Sequence, residues 1–254
     1  MTPRPLACAV LFALLACAAP RAARAENKAD AFEGKIPPVS GALFRKAGRF
    51  ELTATGNLSL NDAFYRKYFG GLKLGYHLTE HWALSGQLTT GLSARTGSAV
   101  VCRSNGGCTD AKDSQLYQVP GKLEMVTGLE LAWSPVYGKL NVFSERVAHV
   151  DLSLLAGADL IRHEEVVSAA DAQALLDAGK RPGVVSTPGG HVGLGVRIFF
   201  AEWIAARLEV KDYVYQVPVP NWREGSGARK DVVNQLFTEL GLSFFLPFHN
   251  RPLP

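Results

Sequence analysis

The feature that most constrains this chain is a two-residue alternation of apolar with polar or small side chains. It begins at Arg49 and recurs in runs of about ten residues. Successive side chains of an extended strand point to opposite faces, so each run reads as a strand with one apolar and one polar face. The first run sets Phe50, Leu52, Ala54 and Leu58 against Arg49, Glu51, Thr53 and Asn57, and the second sets Tyr68, Leu72, Leu74 and Tyr76 against Gly71, Lys73 and His77. The third opposes Trp82, Leu84, Leu88 and Leu92 to Ser85, Gln87 and Thr89, and the fourth opposes Leu123, Met125, Leu129, Leu131 and Trp133 to Glu124, Gly128 and Glu130. In the fifth, Val150, Leu152, Leu154 and Leu160 face away from Asp151, Ser153 and Asp159; in the sixth, Val192, Leu194, Val196 and Ile198 face away from Gly193, Gly195 and Arg197. The seventh separates Ile204, Ala206, Leu208 and Val210 from Arg207, Glu209 and Lys211, and the eighth separates Leu236, Leu240, Leu242, Phe244 and Leu246 from Gln235, Glu239, Gly241 and Ser243.

Eight such strands predict an all-β, eight-stranded antiparallel up-and-down barrel, the smallest usual size that crosses a membrane. The connections alternate in length, as that topology requires: Thr79-Glu80-His81 and Ala201-Glu202 are short, whereas 94–121 and 162–190 are long. Residues 134–148 are long where a short turn is expected. Within 162–190, the run Ala-Gln-Ala-Leu-Leu favours a short helix over 171–180.

Alternation alone does not say whether the apolar face meets lipid or a protein core, since a soluble lipocalin-like barrel has the same period with its apolar side inward. Lipid is favoured by the polar face, which carries Arg49, Glu51, Lys73, Glu124, Glu130, Asp151, Asp159, Arg197, Arg207, Glu209, Lys211 and Glu239, a mixture of signs suited to a narrow lumen of paired charges. Aromatic rings also gather near strand ends: Tyr76, Trp82, Trp133, Phe200, Trp203 and Phe244 by the short turns, and Tyr65, Tyr68, Tyr213 and Tyr215 by the long loops. Two such groups predict two interfacial girdles.

The N-terminus agrees with export. Arg4 precedes the unbroken apolar run Leu6 to Ala19, and Ala23-Arg24-Ala25 is a small-x-small cleavage site, so residues 1–25 read as a cleavable signal peptide. Fourteen apolar residues fall short of a spanning helix. Leu14-Leu15-Ala16-Cys17 also resembles a lipobox, which keeps acylation of Cys17 as an alternative. Residues 26–47 then form an N-terminal periplasmic segment, 48–248 the barrel and 249–254 a tail. Removing Arg4, Arg21 and Arg24 lowers the basic residues from 27 to 24 against 23 acidic ones, so the exported chain is nearly neutral. No basic stripe remains to support nucleic-acid binding. Cys102 and Cys108, six apart in a Gly-rich segment, fit a disulfide across a loop tip in an oxidising compartment. Two thiolates without nearby His or Cys cannot complete a zinc site.

The ending Glu239-x-Gly241-x-x-Phe244-x-Leu246, with Phe248 following, resembles the C-terminal assembly signal of outer-membrane proteins, although six residues follow the last aromatic. Together with Gly48-Arg-Phe-Glu-Leu-Thr53, Ser134-Pro-Val-Tyr-Gly-Lys-Leu-Asn141 and Glu202-Trp-Ile-Ala-Ala-Arg-Leu-Glu209, it makes the sequence similar to the small OmpA/OmpX-type barrels, in particular the "outer membrane beta-barrel domain" proteins of Gram-negative bacteria, over Gly48 to Phe248. The resemblance implies an integral outer-membrane monomer whose partners are membrane lipid and, in transit, periplasmic chaperones and the barrel-assembly machinery. It names neither a ligand nor a cofactor. The function expected is structural or surface interaction, with the outer loops as the interaction surface. The alternatives are a narrow channel, a soluble or lipid-anchored barrel, and a lipid-modifying enzyme using His77 or His149 with Ser85 or Ser153, none of which lies in a recognised catalytic motif.

Overall fold

The computed structural model describes residues 44–247 apart from 62, 104–105, 143–145 and 221–228. The expected signal peptide with Ala23 and Ala25, Cys17, residues 26–43, Phe248 and the tail lie outside the described residues. In chain order the elements are β1 (Phe50–Ser59), β2 (Tyr65–His77), β3 (Trp82–Arg95), β4 (Val100–Arg103), β5 (Gly107–Asp110), α1 (Asp113–Leu116), β6 (Leu123–Val142), β7 (Arg146–Glu164), α2 (Ala169–Asp177), β8 (Val184–Ala201), β9 (Ile204–Val219) and β10 (Arg229–Leu246). Eight of them close into an antiparallel barrel in the order β1-β10-β9-β8-β7-β6-β3-β2, while β4 and β5 form a separate hairpin. Every barrel strand therefore neighbours the barrel strands before and after it in sequence, and the ring closes where β1 pairs with β10 from Phe50↔Leu246 to Ser59↔Phe237. Closure satisfies the backbone of what would otherwise be two exposed edges.

The two-residue period sorts the side chains cleanly. Leu52 stands level with Leu74 on one neighbour and Phe244 on the other, all on the outer face; Thr53 stands level with Lys73 and Ser243, facing the lumen. Exposure is inverted relative to a soluble domain. Leu72, Leu194 and Leu240 are 57%, 63% and 63% exposed, while Lys73, Glu130 and Lys211 are 1%, 0% and 0% exposed.

The short-turn end contains the long connection noted in the sequence. Its described residues are strand: β6 and β7 shift register between Trp133 and Val136 and then stay paired to Val142↔Arg146. The other end carries the long loops. There β4 and β5 are joined by the Cys102–Cys108 disulfide, and Tyr65, Ala99, Ala111 and Leu116 pack together. Helix α2 starts at Ala169, two residues before the expected 171, because Ser168 caps it by accepting from the Asp171 amide. Among the described residues no helix is long and apolar enough to cross a membrane.

Candidate functional site

The barrel interior is built in three layers. In the middle, inward positions of seven barrel strands and one residue preceding β1 converge on a network of charges. Lys73 Nζ lies 2.5 Å from Glu209, 3.2 Å from Glu239 and 3.5 Å from Glu130. Lys211 Nζ pairs with Glu130, and lies 3.1 Å from Glu209 and 3.2 Å from Glu239. Arg207 pairs with Glu209 and reaches Glu51 at 3.2 Å; Arg197 bridges Glu51 at 3.0 Å and Asp151 at 2.8 Å. His77 Nε2 lies 2.8 Å from Glu51. Glycines on neighbouring strands make room for these chains. A Cβ at Gly193 would stand 2.9 Å from Lys211 Cγ, and one at Gly157 would stand 2.2 Å from the His191 ring.

His191 sits between two carboxylates, Nδ1 at 2.6 Å from Asp159 and Nε2 at 3.1 Å from Glu130. Lys46, Lys73, Arg197, Arg207 and Lys211, with the His191 ring between two acids, face Glu51, Glu130, Asp151, Asp159, Glu209 and Glu239. A buried ion pair adds little net stability, but removing one partner strands a charge, at about 3–5 kcal/mol.

Apolar layers lie on either side. Toward the long loops, Phe69, Leu123, Val126, Ile161, Tyr213, Tyr215, Val217 and Phe237 form one cluster with Val166. Toward the short turns, Phe44 stacks on Phe199 at 5.5 Å and meets the edge of His149 at 4.7 Å, with Ala205 and Phe245 beside them. Lys46 reaches Asp151 at 2.7 Å. Burial pushes the Lys46 ammonium down from its ordinary range, and the Asp151 carboxylate opposes that shift. Arg49 donates to the carbonyls of Glu202, Phe245 and Pro247 at 2.8, 3.3 and 2.6 Å, tying the end of the barrel to its beginning.

Of the charges expected in the lumen, Arg49, Glu51, Lys73, Glu130, Asp151, Asp159, Arg197, Arg207, Glu209, Lys211 and Glu239 are buried there. Glu124 is not. A register shift between Leu123 and Met125 breaks the period, so Leu123 turns inward and Glu124 is half-buried at the rim. The aromatics divide by end. Tyr76, Trp82, Trp133, Phe200 and Trp203 are exposed on the outside, where Trp82 stacks on Trp133 at 6.0 Å and Trp203 on the half-buried Phe244 at 6.2 Å.

Of the four rings expected at the long-loop end, Tyr68 faces out. The expectation for Tyr65, Tyr213 and Tyr215 is corrected: all three are buried inward, and the Tyr213 hydroxyl lies 3.3 Å from Glu239. Their parity carried the signal, since Tyr213 and Tyr215 continue the odd-numbered face of Arg207, Glu209 and Lys211. The same parity marks His191 and Lys67, whereas no period reaches Lys46. In the last strand Glu239 and Gly241 face inward and Leu246 outward. The Ser85 hydroxyl points to Glu130 Oε1 at 3.4 Å, and that of Ser153 to the Gly195 carbonyl at 3.4 Å.

No family model matches the chain, and no curated protein does either. Among solved structures it is similar to the N-terminal β-barrel domain of Pseudomonas aeruginosa OprF, at 12% identity over 79% of this chain and 98% of that one, with a TM-score of 0.45. It is also similar to neisserial surface protein A, at 8% identity over 78% of this chain and 94% of that one, with a TM-score of 0.37.

Proposed function

We propose that this chain is an integral outer-membrane β-barrel of the OmpA/OmpX type, with a filled lumen and with its long loops as the surface that meets partners. The observation that carries this reading is the inverted exposure: a continuous outer belt of leucine, valine and aromatic side chains encloses buried, mutually paired charges. In water such a belt would be an apolar surface far beyond what soluble monomers expose, and in a bilayer it is the required solvent contact. From Trp203, just before β9, the belt runs along that strand to Asp212, which at strand tilt spans roughly 25 Å, the height of a lipid-facing band. A lipocalin-like soluble barrel would need the opposite faces. The lumen reading is supported by the apolar layers on either side of the ion network. Ser85 and Ser153 donate to groups other than an imidazole, which supports a non-enzymatic role.

Detergent-dependent extraction from the membrane fraction, together with a gel mobility that changes on boiling, is the expected behaviour. Release without detergent, or a mobility indifferent to heat, overturns the reading. In planar bilayers the purified protein is expected to give no stable discrete openings, and reproducible unitary conductance would favour the channel alternative.

A further inference from the structure

The barrel wall parts at one place. Strand β8 continues along β7 to Glu164↔Val184, and β9 continues along β10 to Arg229↔Val219, yet β8 and β9 pair with each other only as far as Gly189↔Tyr215. Pro188 and Pro218 stand beside the parting, and neither has an N–H to donate across it. Between the separated strands lies a cleft of about 550 Å³ whose walls are Pro188, Val214, Gln216, Pro218 and Val232, with Lys230 at its rim. Behind it, Tyr215 is buried and Thr187 Oγ1 lies 3.0 Å from His163 Nε2, so the cleft opens outward, not into the ion network.

Two observations say what fits. The cleft begins immediately above Asp212, where the apolar belt ends on β9, and its exposed Val214 and Val232 continue that belt. Among the described residues Arg229 is paired with Asp231, whereas Lys230 makes no ion pair.

We infer that this cleft is a binding site for a membrane lipid with an anionic phosphate headgroup. One hydrocarbon chain lies against Val214, Val232 and the two prolines, and the phosphate sits beside Lys230. The inference rests on the membrane reading above and specifies which lipid the rim selects. The site exists because pairing stops: a sheet carried on to Val219 would fill the space with backbone.

The test uses the full-length exported protein in neutral detergent, incubated with phosphatidylglycerol or phosphatidylcholine and read by native mass spectrometry. Phosphatidylglycerol is expected to be retained in preference. Lys230→Glu is expected to lower its retention on the order of tenfold. Val232→Asp is expected to lower it as well, and Arg66→Glu, an exposed cation on β2, to leave it unchanged. Equal retention of the two lipids, or indifference to both cleft substitutions, overturns the site. Heat-modifiable mobility is measured on the same samples: if it is present while lipid selectivity is absent, the cleft inference fails alone, and if it is absent the membrane reading fails and the cleft inference falls with it.

Discussion

The two ends of the barrel use the same residue types in opposite ways. At the short-turn end the rings lie outside, Trp82 on Trp133 and Trp203 on Phe244, while Phe44 packs among inward rings and Arg49 donates to three carbonyls, those of Glu202, Phe245 and Pro247. At the long-loop end Tyr65, Tyr213 and Tyr215 turn inward, the disulfide-clipped hairpin stands above, and the wall parts between β8 and β9. One end carries its rings outside and packs the chain's own N-terminal side, Phe44 and Lys46, into the lumen. The other gives up its outer ring for an inner one and leaves part of its wall unpaired. The difference shows that a girdle is set by which face of a strand a ring occupies, not by how near the strand end it falls.

The ion network between the two ends is the part both depend on, and Lys211→Met should have the largest effect. It leaves Glu130, Glu209 and Glu239 short of a cation and should lower the unfolding free energy by about 3–5 kcal/mol, measured by urea titration of the heat-modifiable form. A loss under about 1 kcal/mol would mean that the ends are held independently of the middle.

The next contrast is between rings. Phe237→Ala in the upper layer should cost about 3 kcal/mol of barrel stability. Phe44→Ala in the lower layer should cost the barrel less, because Phe44 belongs to no strand, and should show instead as trypsin cleavage after Arg45 with the boiling-dependent mobility retained. Equal losses from both would erase the distinction between a wall-borne and a segment-borne stopper. On the outside, Trp82→Ala should cost about 1 kcal/mol through its lost contact with Trp133, and Tyr68→Ala distinctly less, in the same titration. The smallest effect is expected from replacing Cys102 and Cys108 with Ser. The barrel transition should move by less than about 0.5 kcal/mol, while amide exchange in Val100–Asp110 accelerates, because the hairpin pairs with no barrel strand.

Much of this was legible from residue parity. The eight runs correspond to the eight barrel strands, and the inward positions of Glu51, Lys73, Glu209 and Lys211 follow from counting by twos along each run. Tyr213 and Tyr215 were legible by the same count, and grouping them by nearness to a strand end obscured it. Glu124 was not, because one shift of register reverses every face beyond it and no residue type marks the place.

The sequence by itself determined how many barrel strands there are, which side of each is apolar and, through the sizes of its connections, which neighbours pair. These are local properties, carried by a period that any short window displays. Only the tertiary structure decided which charge meets which. Lys73 joins carboxylates from β6, β9 and β10, and Lys46 joins Asp151 from outside any strand, so their pairing depends on ring closure and strand stagger. It also decided where β8 and β9 stop pairing, since a strand's sequence specifies its faces but not how far its neighbour follows it.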